Sequence, residues 1–257
     1  MLWTVICCAL AHPLPEGSAT QPHATDAPAR PESEVLRHPV QLTSRDMFVK
    51  AGEAYFSPDE SWIIFQAVPV PTEGEPDAFY SMYVGRLVRE EGRVVGLDDI
   101  EMISEPGSAN TCGWFPPEIP GKVLFGSTVA PPEDQDRSGF QVGTRKYVWQ
   151  FPPETEIVTR FIPKIFMSTP GETKFDRTTF VLPDDATTSK RLFERPEYDA
   201  EGSWSKDGRY VLYAHVNERE STEAADADIW IYDTRSDTHL PIVQAKGYDG
   251  GPFFSPD

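Results

Sequence analysis

One short pattern recurs along this chain, and a chain that repeats itself folds as repeated units whose faces cover one another. The segments AGEAYFSPDESWIIFQ (51–66), NTCGWFPPEIPGKVLFGS (110–127), DAEGSWSKDGRYVLYAH (199–215) and DGGPFFSPD (249–257) each pass from small or acidic residues to an aromatic and then to a turn. In the first three an apolar run follows. Tyr198 and Tyr248, Asp199 and Asp249, Trp204 and Phe254, Ser205 and Ser255, and Asp207 and Asp257 all stand 50 apart, so the last two copies align without a gap. Phe56 to Phe65 and Trp204 to Tyr213 each span 9 residues, and Phe115 to Phe125 spans 10.

Each copy reads as a β-hairpin. Phe56, Trp204 and Phe254 end one strand, Ser-Pro-Asp or Ser-Lys-Asp-Gly turns the chain, and Trp62 to Phe65 or Tyr210 to Tyr213 returns antiparallel. Pro presets φ at the second turn position, Asp caps through its side chain, and Gly208 accepts a positive φ. Glu60 stands where Gly208 does, and 116–121 is one residue longer, so these two turns are expected to be variants. Third strands are expected at Met82–Val84, Tyr147–Trp149 and Ile229–Tyr232, and fourth strands at Ile100–Ile103, Arg191–Phe193 and Pro241–Val243.

Four-stranded antiparallel units at this spacing are blades of a β-propeller. The expected fold is therefore all-β: a partial propeller of about three blades over 39–257 plus the start of a fourth. The aromatics at 56, 115, 204 and 254 leave intervals of 59, 89 and 50. The long middle interval predicts an insertion around 150–190, with strand-like pieces at Thr159–Met167 and Lys174–Leu182 that suit a β-ribbon projecting from the second blade. Composition agrees: 25 prolines in 257 residues, about twice the ~5% average, disfavour long helices.

Residues 1–38 read differently. Leu2–Ala11 is a short apolar stretch closed by Ala9-Leu10-Ala11, the small-x-small form of a secretory signal, although no basic residues precede it; an ordinary strand is the other reading. The stretch from His12 to His38 is rich in Pro, Ala, Thr, Ser and Glu and reads as a flexible linker. No later window approaches the ~20 apolar residues of a membrane span, so no span is expected once the signal is removed.

With 23 basic against 41 acidic residues, the formal net charge is −18, which argues against a nucleic-acid partner. Gly-x-Ser-x-Gly is absent, its nearest string being Gly202 to Lys206 within a hairpin. His-Glu-x-x-His and glycine-rich phosphate loops are absent too, and Cys112 has no Cys-x-x-Cys partner and reads as a small core residue. Asp226, Asp228, Asp184 and Asp185 lack the pattern of a calcium loop and read as solvated carboxylates. His215 reads as a strand-end or core residue, and Trp114, Trp149, Trp204 and Trp230 read as core. No catalytic residue, metal site or cofactor is expected. Because the first strand of a blade lines the propeller axis, Glu53, Asp199, Glu201 and Asp249 are expected to form an acidic rim at one channel mouth, suited to a cationic peptide or protein surface, unless Asp199 and Asp249 serve only to bond the backbone between blades.

The aromatic-Ser-Pro-Asp turn followed by an apolar strand resembles the WD40-like repeat called PD40. That repeat occurs in TolB-like periplasmic propellers, the tricorn protease, and the propellers of prolyl-oligopeptidase and dipeptidyl-peptidase type enzymes. The resemblance covers about 41–257 and is nearest to the TolB-like group through AGEAYFSPDESWIIFQA, CGWFPPEIPGKVLFGST and YDAEGSWSKDGRYVLYA. It implies a non-catalytic, periplasmic or secreted module that binds a protein or peptide partner as a scaffold, with a cell-envelope lipoprotein among the partner types. The alternative is the N-terminal propeller of a prolyl-oligopeptidase-type serine peptidase whose catalytic domain lies outside this chain. Because such rings hold six or more blades, the chain is expected to be a fragment of a longer product.

Overall fold

The structure, a computed structural model, describes residues 5–6, 38–117, 119–134, 152–168, 181, 185–221 and 224–255. Most of the expected linker and residues 147–149 lie outside that set. The described strands are β1 (Val5–Ile6), β2 (Phe48–Phe56), β3 (Trp62–Pro69), β4 (Ser81–Glu90), β5 (Arg93–Met102), β6 (Asn110–Trp114), β7 (Lys122–Ser127), β8 (Glu156–Phe161), β9 (Lys190–Arg191), β10 (Asp199–Trp204), β11 (Tyr210–Ser221), β12 (Ala224–Asp233), β13 (Thr238–Val243) and β14 (Phe253–Phe254). One short helix, α1, spans Pro163–Ser168. Three four-stranded antiparallel sheets follow chain order, β2 to β5, β6 to β9 and β10 to β13, while β1 pairs with β14. These are three blades of a partial β-propeller and the first strand of a fourth.

The hairpin turns are wired by their own side chains. Ser57 Oγ accepts the Trp62 N–H at 2.9 Å and donates to Asp59 Oδ1 at 2.6 Å. Ser205 Oγ repeats both bonds, to the Tyr210 N–H at 2.9 Å and to Asp207 Oδ1 at 2.6 Å. The expectation that Glu60 makes a variant turn needs correction: Glu60 takes φ 56° where Gly208 takes φ 68°, so both turns share one backbone. Side-chain wiring and the flanking strand pairs hold a left-handed conformation that Glu alone disfavours.

In the second blade, β7 pairs with Glu156–Phe161, from Lys122 opposite Phe161 to Ser127 opposite Glu156. The third strand is therefore not Tyr147–Trp149. Part of the Thr159–Met167 piece belongs to the blade itself and the rest to α1, so that piece is no projecting ribbon. Both runs are short and rich in β-branched or aromatic residues, and local pattern cannot rank them.

The apolar runs of β3 and β7 are continuous because both faces are buried. Trp62 and Ile64 of the first blade meet Phe115, Val123, Phe125, Val158 and Ile165 of the second. Ile63 and Phe65 pack on the opposite face with Phe48, Tyr83 and Leu87. Leu124 and Ile157 pass from the second blade into a core with Trp204, Val211, Tyr213 and Tyr232 of the third. Each such side chain, fully buried, contributes roughly 1.5–3 kcal/mol. The repeated aromatic shows the same logic: Phe115 and Trp204 are buried against a preceding blade, whereas Phe56, on the first described blade, is 61% exposed.

Candidate functional site

The inner strands β2, β6 and β10 each carry a bulge at the same repeat position. Register shifts fall between Gly52 and Ala54, between Thr111 and Trp114, and between Ala200 and Ser203. A bulge re-aims one side chain out of the alternating pattern. Three residues before each repeated aromatic stand Glu53, Cys112, Glu201 and Gly251, and all four line one cavity of about 370 Å³. Cys112, Glu201 and Gly251 hold positive φ angles of 44°, 59° and 62°. The bulge frees the Cys112 N–H from its ladder, and Gln66 Oε1 of the first blade accepts it at 2.9 Å.

The residue just before each aromatic completes the cavity wall. Tyr55, Trp114 and Phe253 form a ring triangle with centroid separations of 5.2, 5.4 and 5.8 Å. The third blade has Ser203 at this place, which donates instead to Pro252 O at 2.7 Å.

The polar groups are coupled. Cys112 Sγ–H donates to Glu53 Oε2 at 2.8 Å. Glu201 accepts from Tyr248 OH through Oε1 and from the Gly251 N–H through Oε2. Burial pushes the Glu201 carboxyl above its usual range, with these two donors opposing the shift and the Glu53 charge reinforcing it. Burial likewise raises the Cys112 thiol well above its ordinary value, aided by the charges of Glu201 and Glu53. The Tyr55 and Tyr248 hydroxyls are raised for the same first reason. The cavity thus joins aromatic faces and carboxylates in a partly desolvated setting that favours a cation. The thiol is held protonated, which opposes nucleophilic use.

Of the four expected rim residues, the structure brings Glu53 and Glu201 together at the cavity. Asp199 and Asp249 are placed elsewhere. Asp199 is fully buried against His215 Nδ1 at 2.7 Å, and Asp249 Oδ2 accepts the Ala245 N–H at 3.2 Å. Cys112 is buried as expected and also lines the site; Trp204 is core, whereas Trp114 belongs to the cavity. Asp228 is not solvated: it is buried and its Oδ2 accepts from Gln244 Nε2 at 3.1 Å. Tyr55, Trp114, Tyr248 and Phe253 were not expected at the site. Three of them follow from reading the position before the repeated aromatic in each copy. Among the described residues no group of three or more His, Cys, Asp or Glu is arranged to hold a metal ion, and no helix is long and apolar enough to cross a membrane.

Three successive blades with their first strands converging on a shared cavity define a β-propeller module. No family model and no curated protein matches the sequence. Among solved structures the chain is similar to a TolB candidate from Agrobacterium tumefaciens, with 12% identity and a TM-score of 0.43 over 79% of this chain and 53% of that one. It is also similar to TolB from Acinetobacter baumannii, with 14% identity and a TM-score of 0.37 over 76% of this chain and 32% of that one. For the tricorn protease the values are 13% and 0.42, over 76% of this chain and 18% of that one. The chain therefore spans about half or less of the length of each.

Proposed function

We propose that this chain is an exported, non-catalytic β-propeller module that binds a protein or peptide partner, and that the cavity on the inner strands receives a cationic side chain of that partner. The observation that carries the proposal is the convergence of one repeat position. Bulges on β2 and β10 turn Glu53 and Glu201 into the same cavity, beside the Tyr55, Trp114 and Phe253 rings. A lysine ammonium or arginine guanidinium gains there from ring faces and a carboxylate together, each gaining strength as water is displaced. The overall charge of −18 draws such a partner in. The secretory form of Leu2–Ala11 supports a periplasmic or secreted location, the pairing of Val5–Ile6 with β14 then belonging to the chain before the signal is removed.

The test is calorimetric titration of the full chain with a Lys/Arg-containing peptide and with the same peptide carrying Gln at those positions. Saturable binding of the cationic peptide is expected, weakened by salt and about tenfold by Glu53→Gln, a loss of about 1.4 kcal/mol. Equal binding of both peptides, or an unchanged affinity in Glu53→Gln, would overturn the cationic reading of the cavity.

A further inference from the structure

Away from the cavity, the junction of the second and third blades buries a second set of ionisable groups. Glu156 opens β8 and Asp199 opens β10, and the Asp199 N–H donates to Thr155 O at 2.9 Å. The two carboxylates thus enter the junction from adjacent blades at neighbouring backbone positions. Both are more than nine-tenths buried. One oxygen of each is engaged: Asp199 Oδ1 meets His215 Nδ1 at 2.7 Å, and Glu156 Oε1 accepts the Arg195 N–H at 3.2 Å. The remaining oxygens, Asp199 Oδ2 and Glu156 Oε2, are buried with no hydrogen-bond partner among the described residues.

The charges around them are otherwise committed. The Arg195 guanidinium donates to Tyr213 OH and lies 4.1 Å from the Trp230 ring centre, and Tyr213 OH meets His239 Nδ1 at 2.7 Å. Arg191 binds Glu194 at 2.7 Å near the surface, and from β7 the neutral Ser127 stands opposite Glu156. Asp199 has the His215 hydrogen bond and the Arg195 charge in its favour, whereas Glu156 has only the Arg195 N–H and the Arg191 charge, so Glu156 is the less neutralised of the two buried carboxylates.

We infer that the Glu156 carboxyl retains a proton in the folded protein and that this proton is a pH-sensitive latch between the second and third blades. While it is bound, the junction closes over a single buried anion, Asp199; burial raises its carboxyl too, but the His215 hydrogen bond and the His215 and Arg195 charges oppose that shift. When it leaves, a second anion is buried at the same junction and the blades loosen. Burial is the first reason the proton stays: it pushes the Glu156 carboxyl up to about 7. The Arg195 N–H and Arg191 oppose the shift, while Asp199 and Glu194 add to it. The sign follows from linkage. An acid whose folded value lies above the unfolded one stabilises most below the unfolded value, ~4.3, and that stabilisation is lost as pH rises toward about 7.

Hydrogen exchange on the full chain between pH 5 and 8, corrected for the chemical exchange rate, tests the latch through the amides of 156–161 and 199–204. Their opening equilibrium is expected to grow by up to about tenfold per pH unit from 5 to 7 and to level off above 7. Glu156→Gln, a neutral near-isostere, is expected to remove that rise. Infrared difference spectra on the unmodified protein give a second readout independent of the variant's folding: a protonated carboxyl band that vanishes with a midpoint near 7. A rise that persists unchanged in Glu156→Gln, pH-independent exchange in the unmodified protein, or no carboxyl band titrating near 7 would each overturn the inference.

Discussion

Ile64 of the first blade fills the space where Gly113 of the second lacks a side chain: a Cβ on Gly113 would lie 2.5 Å from Ile64 Cδ1. The same relation recurs one blade later, where a Cβ on Gly202 would lie 2.6 Å from Leu124 Cδ2. Each glycine stands two residues before the repeated aromatic, and each apolar side chain comes from the second strand of the preceding blade. Gly113→Ala and Gly202→Ala should therefore overpack a blade junction and cost about 1–3 kcal/mol each. Gly96→Ala, with nothing within 4 Å and no left-handed backbone, should stay within about 0.5 kcal/mol of the parent. Urea unfolding midpoints measure all three, and equal shifts would refute the knob-and-gap account.

Ser57 and Ser205 hold their hairpin turns from buried positions, each accepting a backbone N–H and donating to an Asp two residues on. Ser205→Ala leaves the Tyr210 N–H without its side-chain acceptor and frees Asp207. A loss of about 1–3 kcal/mol in unfolding free energy is expected, with a similar loss for Ser57→Ala.

Glu60 sits at φ 56° in an exposed turn, and its side chain makes only a loose surface pairing with Arg89 at 3.7 Å. Replacing it with Gly removes left-handed strain and sacrifices little electrostatic energy. Glu60→Gly should raise stability by about 0.5–1 kcal/mol, even after the entropy of a more flexible unfolded chain. Thermal unfolding checks the sign; a destabilised variant would show that the turn is relaxed as it stands.

The Cys112 thiol is buried, and its ionisation is pushed well above the ordinary range first by burial and then by Glu201 and Glu53. Alkylation proceeds through the thiolate, so each unit of upward shift slows it about tenfold. At pH 8 the peptide containing Cys112 should be labelled at least about tenfold more slowly in the native protein than in urea. Peptide mapping by mass spectrometry separates it from Cys7 and Cys8.

Much of this fold is legible in the linear pattern because a blade hairpin is a local object. The turns after Phe56 and Trp204, the returning strands, and the third strands at Met82–Val84 and Ile229–Tyr232 all follow from residues within about 30 positions of one another. The second blade was harder to read. Its third strand lies beyond a long segment, and the run at 147–149 and the one at 156–161 satisfy the same local preference. Glu53 and Glu201 stand at the same repeat position, which is why the sequence groups them, and both line the cavity. Asp199 could not be separated from them, since two positions along a strand reverse nothing unless a bulge intervenes, and the bulge at Ala200–Ser203 is not written in any one residue type.

The amino-acid order alone established that this polypeptide is a series of similar antiparallel modules, since turn chemistry and apolar spacing act over short distances and repeat visibly. Only the tertiary structure decided that Glu53, Cys112 and Glu201 share one cavity with three aromatic rings, and that Glu156 and Asp199 are both buried at one blade junction. Those groups are up to 200 residues apart in the chain, the separation of Glu53 and Phe253. Their company is set by how one blade's side chains seat in the gaps of the next, a packing constraint that no local segment encodes.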